Sequence, residues 1–267
     1  MTLVDADRVR IRPATAADLV AAAQVYRLAD GAPASEETAA LEDLRVFHED
    51  DPAQVWVAEA DGAIVGMGAA LIRGRHWHLV YLFVLPVAQG RGLGRALLHA
   101  LHAAGRDAGC TLLTTESSAD PRALSRYFGL GLRPAVPALA MIAGEPSFPS
   151  LRWDDGLERR PLTLDADEAI ATATDIDKAI RGAPRERDLR RWLAAGAAGD
   201  LLLRCEPLTP AGYFLIEAGG EEGRIGPVAA IDAERLPDVL GRALAAAGDV
   251  HRPGMPWRAE LPGECWA

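Results

Sequence analysis

Three cysteines in 267 residues, Cys110, Cys205 and Cys265, are too few and too far apart for a disulfide framework. No Cys-x-x-Cys or paired-histidine pattern accompanies them, so no zinc site is signalled, and the thiols are expected to be reduced and structural. No uninterrupted apolar run approaches the ~20 residues of a membrane span, and Met1 to Arg10 lacks the apolar centre of a secretion signal. A cytoplasmic protein is the expectation. Positive charge is short as well: 28 Lys and Arg stand against 38 Asp and Glu, a formal net charge of -10. Binders of nucleic acid or anionic membranes depend on a basic surface, so neither is expected as a partner. What is plentiful is core-forming material: 49% hydrophobic residues with 25% charged suits one large domain or two small ones.

The first half alternates strand and helix signals. Val9 to Arg12 reads as a strand, and Thr15 to Asp30 as a helix with Thr15 placed to cap it. A second helical stretch covers Glu36 to His48. Val55 to Ala60 and Ala63 to Arg73 are strand-like and joined by Asp61-Gly62, a hairpin signal. His76 to Leu85 is nearly all apolar from Leu79 onward, as in a central strand covered on both faces. The helix expected over Ala96 to Ala108, ended by Gly109, places Leu93, Leu97, Leu98 and Leu101 on one face; Arg95, His99, His102 and Arg106 take the other. Thr111 to Ser117 then reads as a strand, Pro121 to Phe128 as a short helix, and Leu132 to Ile142 as a final strand pair.

Between the central strand and its helix lies Gln89-Gly90-Arg91-Gly92-Leu93-Gly94-Arg95. Alternating glycines let backbone N-H groups turn toward one point at the start of a helix, where the dipole already favours an anion. Arg91 and Arg95 add positive charge beside a pyrophosphate. The spacing is neither the dinucleotide fingerprint G-x-G-x-x-G with its later acid nor the mononucleotide loop with its Lys-Ser/Thr.

Gln89, Gly92 and Gly94, with Pro86 upstream, match the pattern Q/R-x-x-G-x-G/A, and over Val9 to Ile142 the chain resembles the GNAT acyltransferase superfamily. The resemblance implies a mixed, mostly antiparallel α/β sheet flanked by helices. It implies acetyl-CoA as cosubstrate, held by Gln89 to Arg95 and by the backbone of Leu82, Phe83, Val84 and Leu85. It also implies that Tyr127, four residues before Gly131, is the acid that protonates the leaving thiolate; Asp120 and Leu132 stand where Asn and Phe are common. A phenol pKa near 10 lies close enough to that of a thiol for such a transfer. The general base is open between Glu116, His76, His78 and a water chain. Cys110, without a histidine placed to activate it, is expected to be structural.

The linker is expected at Gly144 to Ser150, giving domains 1–148 and 151–267. Arg160-Pro161-Leu162-Thr163 echoes Arg12-Pro13-Ala14-Thr15. A helix at Arg185 to Ala195, strands at Leu201 to Cys205, Gly212 to Glu217 and Arg224 to Ile231, and a helix at Ala233 to Ala246 follow in the first half's order. A tandem duplication is therefore expected, with an incomplete second copy whose open sheet edge a second chain would cover as a homodimer. Asp232 to Pro237 has no alternating glycines, so this copy is degenerate as a phosphate site. The arginines at 181, 185, 187, 190 and 191 are interleaved with Glu186 and Asp188 and are expected on a solvated helix face. The function expected is N-acetylation of a primary amine by direct attack, a small-molecule amine ahead of a protein one. The alternative is a CoA-binding sensor or scaffold without turnover.

Overall fold

The computed structural model describes residues 9–135, 138–144, 156–205, 207–220 and 222–262. The chain divides into two compact units, Met1–Arg133 and Pro134–Ala267. Among the described residues no helix is long and apolar enough to cross a membrane.

The first unit holds a five-stranded sheet in the order β1-β2-β3-β4-β5, formed by Val9–Pro13, Val55–Ala60, Ala63–Arg73, His76–Val84 and Leu112–Thr115. Neighbours are antiparallel except β4 and β5, which run parallel around the crossover helix α3, Leu93–Asp107. Asp61 (φ 49°) and Gly62 (φ 79°) turn the β2–β3 hairpin in the left-handed region, as the Asp-Gly pair foretells. Helices α1 (Leu19–Asp30) and α2 (Ala34–Asp50) bury Leu19, Val25, Leu44 and Phe47 against one face of the sheet. On the other face α3 buries Leu97, Leu98 and Leu101 almost completely, each contributing about 1.5–3 kcal/mol of apolar transfer. Its close approach needs Gly68: a β-carbon there would lie 2.6 Å from Leu101 Cδ1.

Two boundaries differ from expectation for local reasons. Residues 16–18 form a 3-10 turn ahead of α1, because Asp18 reaches back to accept from the Thr15 N-H and hydroxyl, both at 2.7 Å. Helix α3 starts at Leu93 because Gly92, at φ 80°, is its N-cap. Leu93, Gly94 and Arg95 are therefore its first turn and not loop.

The second unit holds a six-stranded sheet in the order β6-β11-β10-β9-β8-β7. Its strands are Ala138–Ala143, Trp257–Pro262, Gly223–Ala230, Leu208–Glu217, Ala198–Cys205 and Leu157–Pro161, in that order across the sheet. Helices α5 (Asp167–Arg181) and α6 (Glu186–Ala194) cover one face, and α7 (Leu236–Val250) the other. Helix α5 was not anticipated from the sequence. The strand pair expected within Leu132–Ile142 is a single strand, β6, and it belongs to this sheet: Ala143 pairs with Trp257 and Ala138 with Pro262, antiparallel. The edge expected to be open beyond β11 is thus occupied. Residues 145–150 of the expected linker lie outside the described residues.

The arginine-rich segment is only partly a solvated face. Arg190 behaves as expected, pairing with Asp167 at 2.8 Å and Glu186 at 3.0 Å. Arg185 does not: its Nη2 donates to Asp177 Oδ1 and to Tyr213 Oη, both at 2.7 Å, and the Asp177 side chain has 0% exposure. Tyr213 Oη donates in turn to Asp177 Oδ2 at 2.8 Å. Pairing the guanidinium inside the fold makes its burial tolerable.

Candidate active site

Strands β4 and β5 share a ladder only from His76/Leu112 to Leu79/Thr115. There β5 ends while β4 continues to Val84, and the register with β3 jumps so that Val80 is an extra residue on β4. A bulge of this kind bends a strand away from its neighbour. The backbone of Val80 to Val84 is left without a strand on its β5 side, and a cleft of about 300 Å³ opens there.

Val80, Leu82, Phe83 and Val84 form one wall. Gln89 and Gly94 close the end toward α3, and Arg122, Arg126 and Tyr127 of α4 (Pro121–Gly129) stand opposite. Gln89 ties these parts together: its Nε2 donates to Val84 O at 2.9 Å, and its Oε1 accepts from Arg122 Nη1 at 3.2 Å. The start of α3 presents backbone N-H groups that have no partner within the helix, which favours an anion. Gly94 faces Arg126 across this end: a β-carbon there would lie 3.5 Å from the guanidinium, an ordinary contact distance.

Of the residues expected at the site, Leu82, Phe83, Val84, Gln89, Gly94, Glu116 and Tyr127 line the cleft. Leu85, Gly90, Arg91, Gly92, Leu93 and Arg95 do not. Arg95 points along the exposed side of α3, with Nε 3.4 Å from His99 Nε2, and Arg91 is half-buried with Nη1 turned inward. The arginines that line the cleft are instead Arg122 and Arg126. The sequence signal for that pair was their i, i+4 spacing, which places both on one face of α4. Arg122 is held by Asp120, the N-cap of α4, which accepts from the Arg122 backbone N-H at 2.8 Å and pairs with its Nη2 at 3.1 Å.

Burial pushes the Tyr127 phenol above its ordinary pKa, with Thr115 and the Arg126 charge pulling part of the way back. Glu116 follows β5 and is exposed at the cleft. His76 Nε2 and His78 Nδ1 instead meet the Thr114 hydroxyl at 2.6 and 2.8 Å and lie outside the cleft lining. Cys110 is buried, and burial raises its thiol pKa, opposite to what a nucleophile requires. Toward α1 the lining includes Asp30. Beside it Tyr26 donates to Glu36 at 2.6 Å, and its ring packs on Phe83 with centroids 5.0 Å apart.

Residues 22–131 match the Acetyltransferase (GNAT) family. No curated protein matches the sequence significantly. Solved structures are similar over both units. A candidate acetyltransferase from Pyrococcus horikoshii is 20% identical, with 96% of this chain and 80% of that one covered at a TM-score of 0.69. A GCN5-related N-acetyltransferase from Sphaerobacter thermophilus is 19% identical, with 96% and 87% covered at 0.63. A tandem GNAT protein from the clavulanic acid biosynthesis pathway is 17% identical, with 96% and 90% covered at 0.57. At these identities the likeness is one of fold, whereas the family match falls on the segment that builds the cleft. Residues 22–131 of this chain are a domain of the acetyltransferase (GNAT) family.

Proposed function

We propose that the protein is an acetyl-CoA-dependent N-acetyltransferase whose first unit carries the chemistry and whose acceptor is a small cationic amine. One observation carries this reading: an unpaired strand edge, a helix N-terminus and two arginines converge on one cleft that also holds a half-buried tyrosine. The unpaired backbone of Leu82 to Val84 suits the amides of a pantetheine arm, and the α3 N-terminus with Arg122 and Arg126 suits a pyrophosphate. When bound, acetyl-CoA supplies an acyl thioester for transfer to nitrogen.

This chain's residues have three tasks. Gln89 holds the loop to β4 and α4, fixing the distance between the anion subsite and the strand edge. Tyr127 keeps its proton at neutral pH, as an ordinary phenol does and the more so because burial raises its pKa, and it would donate that proton to a departing sulfur. Glu116 stands at the cleft as the base that takes a proton from the incoming ammonium, directly or through water. Asp30 in the lining, with Glu36 and Asp43 nearby, favours a positively charged acceptor over a neutral one.

Thermal unfolding with and without acetyl-CoA, followed by a free-thiol assay over small amines, tests the proposal. Stabilisation together with thiol release is expected. Stabilisation without release for any amine would make the protein a CoA-binding sensor instead.

A further inference from the structure

In the second unit a separate cavity of about 210 Å³ opens where β10 leaves its neighbours. The β10–β11 ladder ends at Ile225/Ala259, and the β9–β10 register is interrupted between Ile225 and Val228. Gly226 and Pro227 therefore stand off from both flanking strands and line the cavity. The place is analogous to the cleft of the first unit, yet no glycine-rich loop follows β10.

Three arginines line it: Arg185, Arg224 and Arg258. Arg224 lies beside Glu217 on β9 and Arg258 on β11, so the three side chains form a row across one sheet face. Arg185 is anchored from behind through Nη2 by Asp177 and Tyr213; its Nε is buried without a hydrogen-bond partner among the described residues. Arg258 is steadied by Glu222, with Nε to Oε1 at 3.3 Å. Arg224 is exposed and makes no hydrogen bond or ion pair among the described residues. A guanidinium carries five N-H donors and no acceptor, so the cavity is rich in donors, and Glu217 is the one carboxylate among the described lining residues. The remaining wall is flat and apolar: the Trp192 indole, with the Arg185 guanidinium 5.8 Å from its centroid, and Pro227.

We propose that this cavity binds a small carboxylate carrying a flat apolar body. Planar guanidinium groups match a carboxylate in geometry as well as charge, and the indole accepts a ring face. The volume is below the ~300 Å³ of drug-sized pockets, which restricts the ligand to metabolite size. Arg224 and Arg258, with Arg185 held by Asp177 and Tyr213, are the donors that such a ligand would engage.

Calorimetric titration of the full chain with benzoate, benzamide and inorganic phosphate tests this. Benzoate is expected to bind, with benzamide and phosphate weaker by about tenfold or more, since each lacks one half of the recognised chemistry. Arg224→Gln and Trp192→Leu should each weaken benzoate by about tenfold. Saturating CoA should leave benzoate affinity unchanged, separating this cavity from the first unit's cleft. Absence of benzoate binding, phosphate binding as tightly as benzoate, competition by CoA, or wild-type affinity in Arg224→Gln would each overturn the proposal. Should Trp192→Leu fail to fold, the exposed Arg224 decides the matter.

Discussion

Gly105 on α3 lies so close to Trp77 on β4 that a β-carbon at position 105 would sit 2.5 Å from the indole Cδ1. The indole is fully buried, and its Nε1 donates to Gln54 Oε1 at 2.9 Å, so it has no room to withdraw. Gly105→Ala should therefore destabilise the first unit by about 1–3 kcal/mol despite alanine's better helix propensity. Chemical denaturation measures this; a neutral or stabilising result would mean that α3 and β4 are not so closely packed.

Arg12 and Asp18 clamp the entry to α1. The Asp18 carboxylate accepts from Arg12 Nη1 at 2.7 Å, Arg12 Nη2 at 2.9 Å and the Thr15 backbone N-H at 2.7 Å. The guanidinium holds the Asp18 pKa well below the usual carboxylate range. A depressed carboxylate stabilises the fold fully above its unfolded pKa of about 3.9 and loses that contribution as pH falls toward the folded value. Asp18→Asn should cost about 1–3 kcal/mol at pH 7, and the gap to wild type should narrow below about pH 4. Denaturation midpoints measured at both pH values check the sign.

Asp177 has no exposed side-chain surface and holds both Arg185 and Tyr213. Asp177→Ala would leave a buried guanidinium without its counter-charge, a loss of about 3–5 kcal/mol. Unfolding of the second unit, followed by denaturant titration, should show a deficit of that size; a loss below ~1 kcal/mol would show that the guanidinium finds water instead.

For Tyr127→Phe, kcat should fall while the affinity for acetyl-CoA is largely kept, because the hydroxyl is assigned a proton and not a binding contact. Burial raises the phenol pKa, so deprotonation of the acid should cause no loss of kcat between pH 7 and about 10, the ordinary phenol value. A pH–rate profile falling on its alkaline limb below pH 9 in wild type but not in the variant would contradict the assignment.

Arg126→Ala should raise the dissociation constant for CoA by about tenfold through loss of a charge-assisted contact to phosphate. The same substitution at Arg95, which points away from the cleft toward His99, should change it little. Equal effects at both positions would place the phosphates along α3 and not between α3 and α4.

Most of the first unit could be read in advance because its signals are local. Asp61-Gly62 specifies a hairpin by itself, and the leucines of α3 mark the buried face by their spacing alone. Position in the cleft is a different kind of information. Arg91 and Arg95 sit in the glycine loop by sequence, yet Gly92 as N-cap starts the helix early and turns Arg95 toward His99; the arginines lining the cleft lie on α4, brought there by the chain's return through β5. Arg185 reads as one of several helix-surface arginines until Asp177, eight residues earlier on α5, and Tyr213 on β9 are placed beside it. Each of these depends on contacts between segments remote in sequence, which periodicity does not encode.

The place of β6 has a consequence for biosynthesis. This strand leaves the ribosome before every other described strand of the second sheet, yet its hydrogen-bonding partner β11 is made after all of them. Until β11 arrives, Ala138 to Ala143 is an unmatched ribbon with exposed Met141 and Ile142, and the sheet cannot close in the order in which it is translated. A recombinant boundary drawn after β6, at the stretch that looks like the natural seam, would send that ribbon off with the wrong partner and leave β11 as a bare edge.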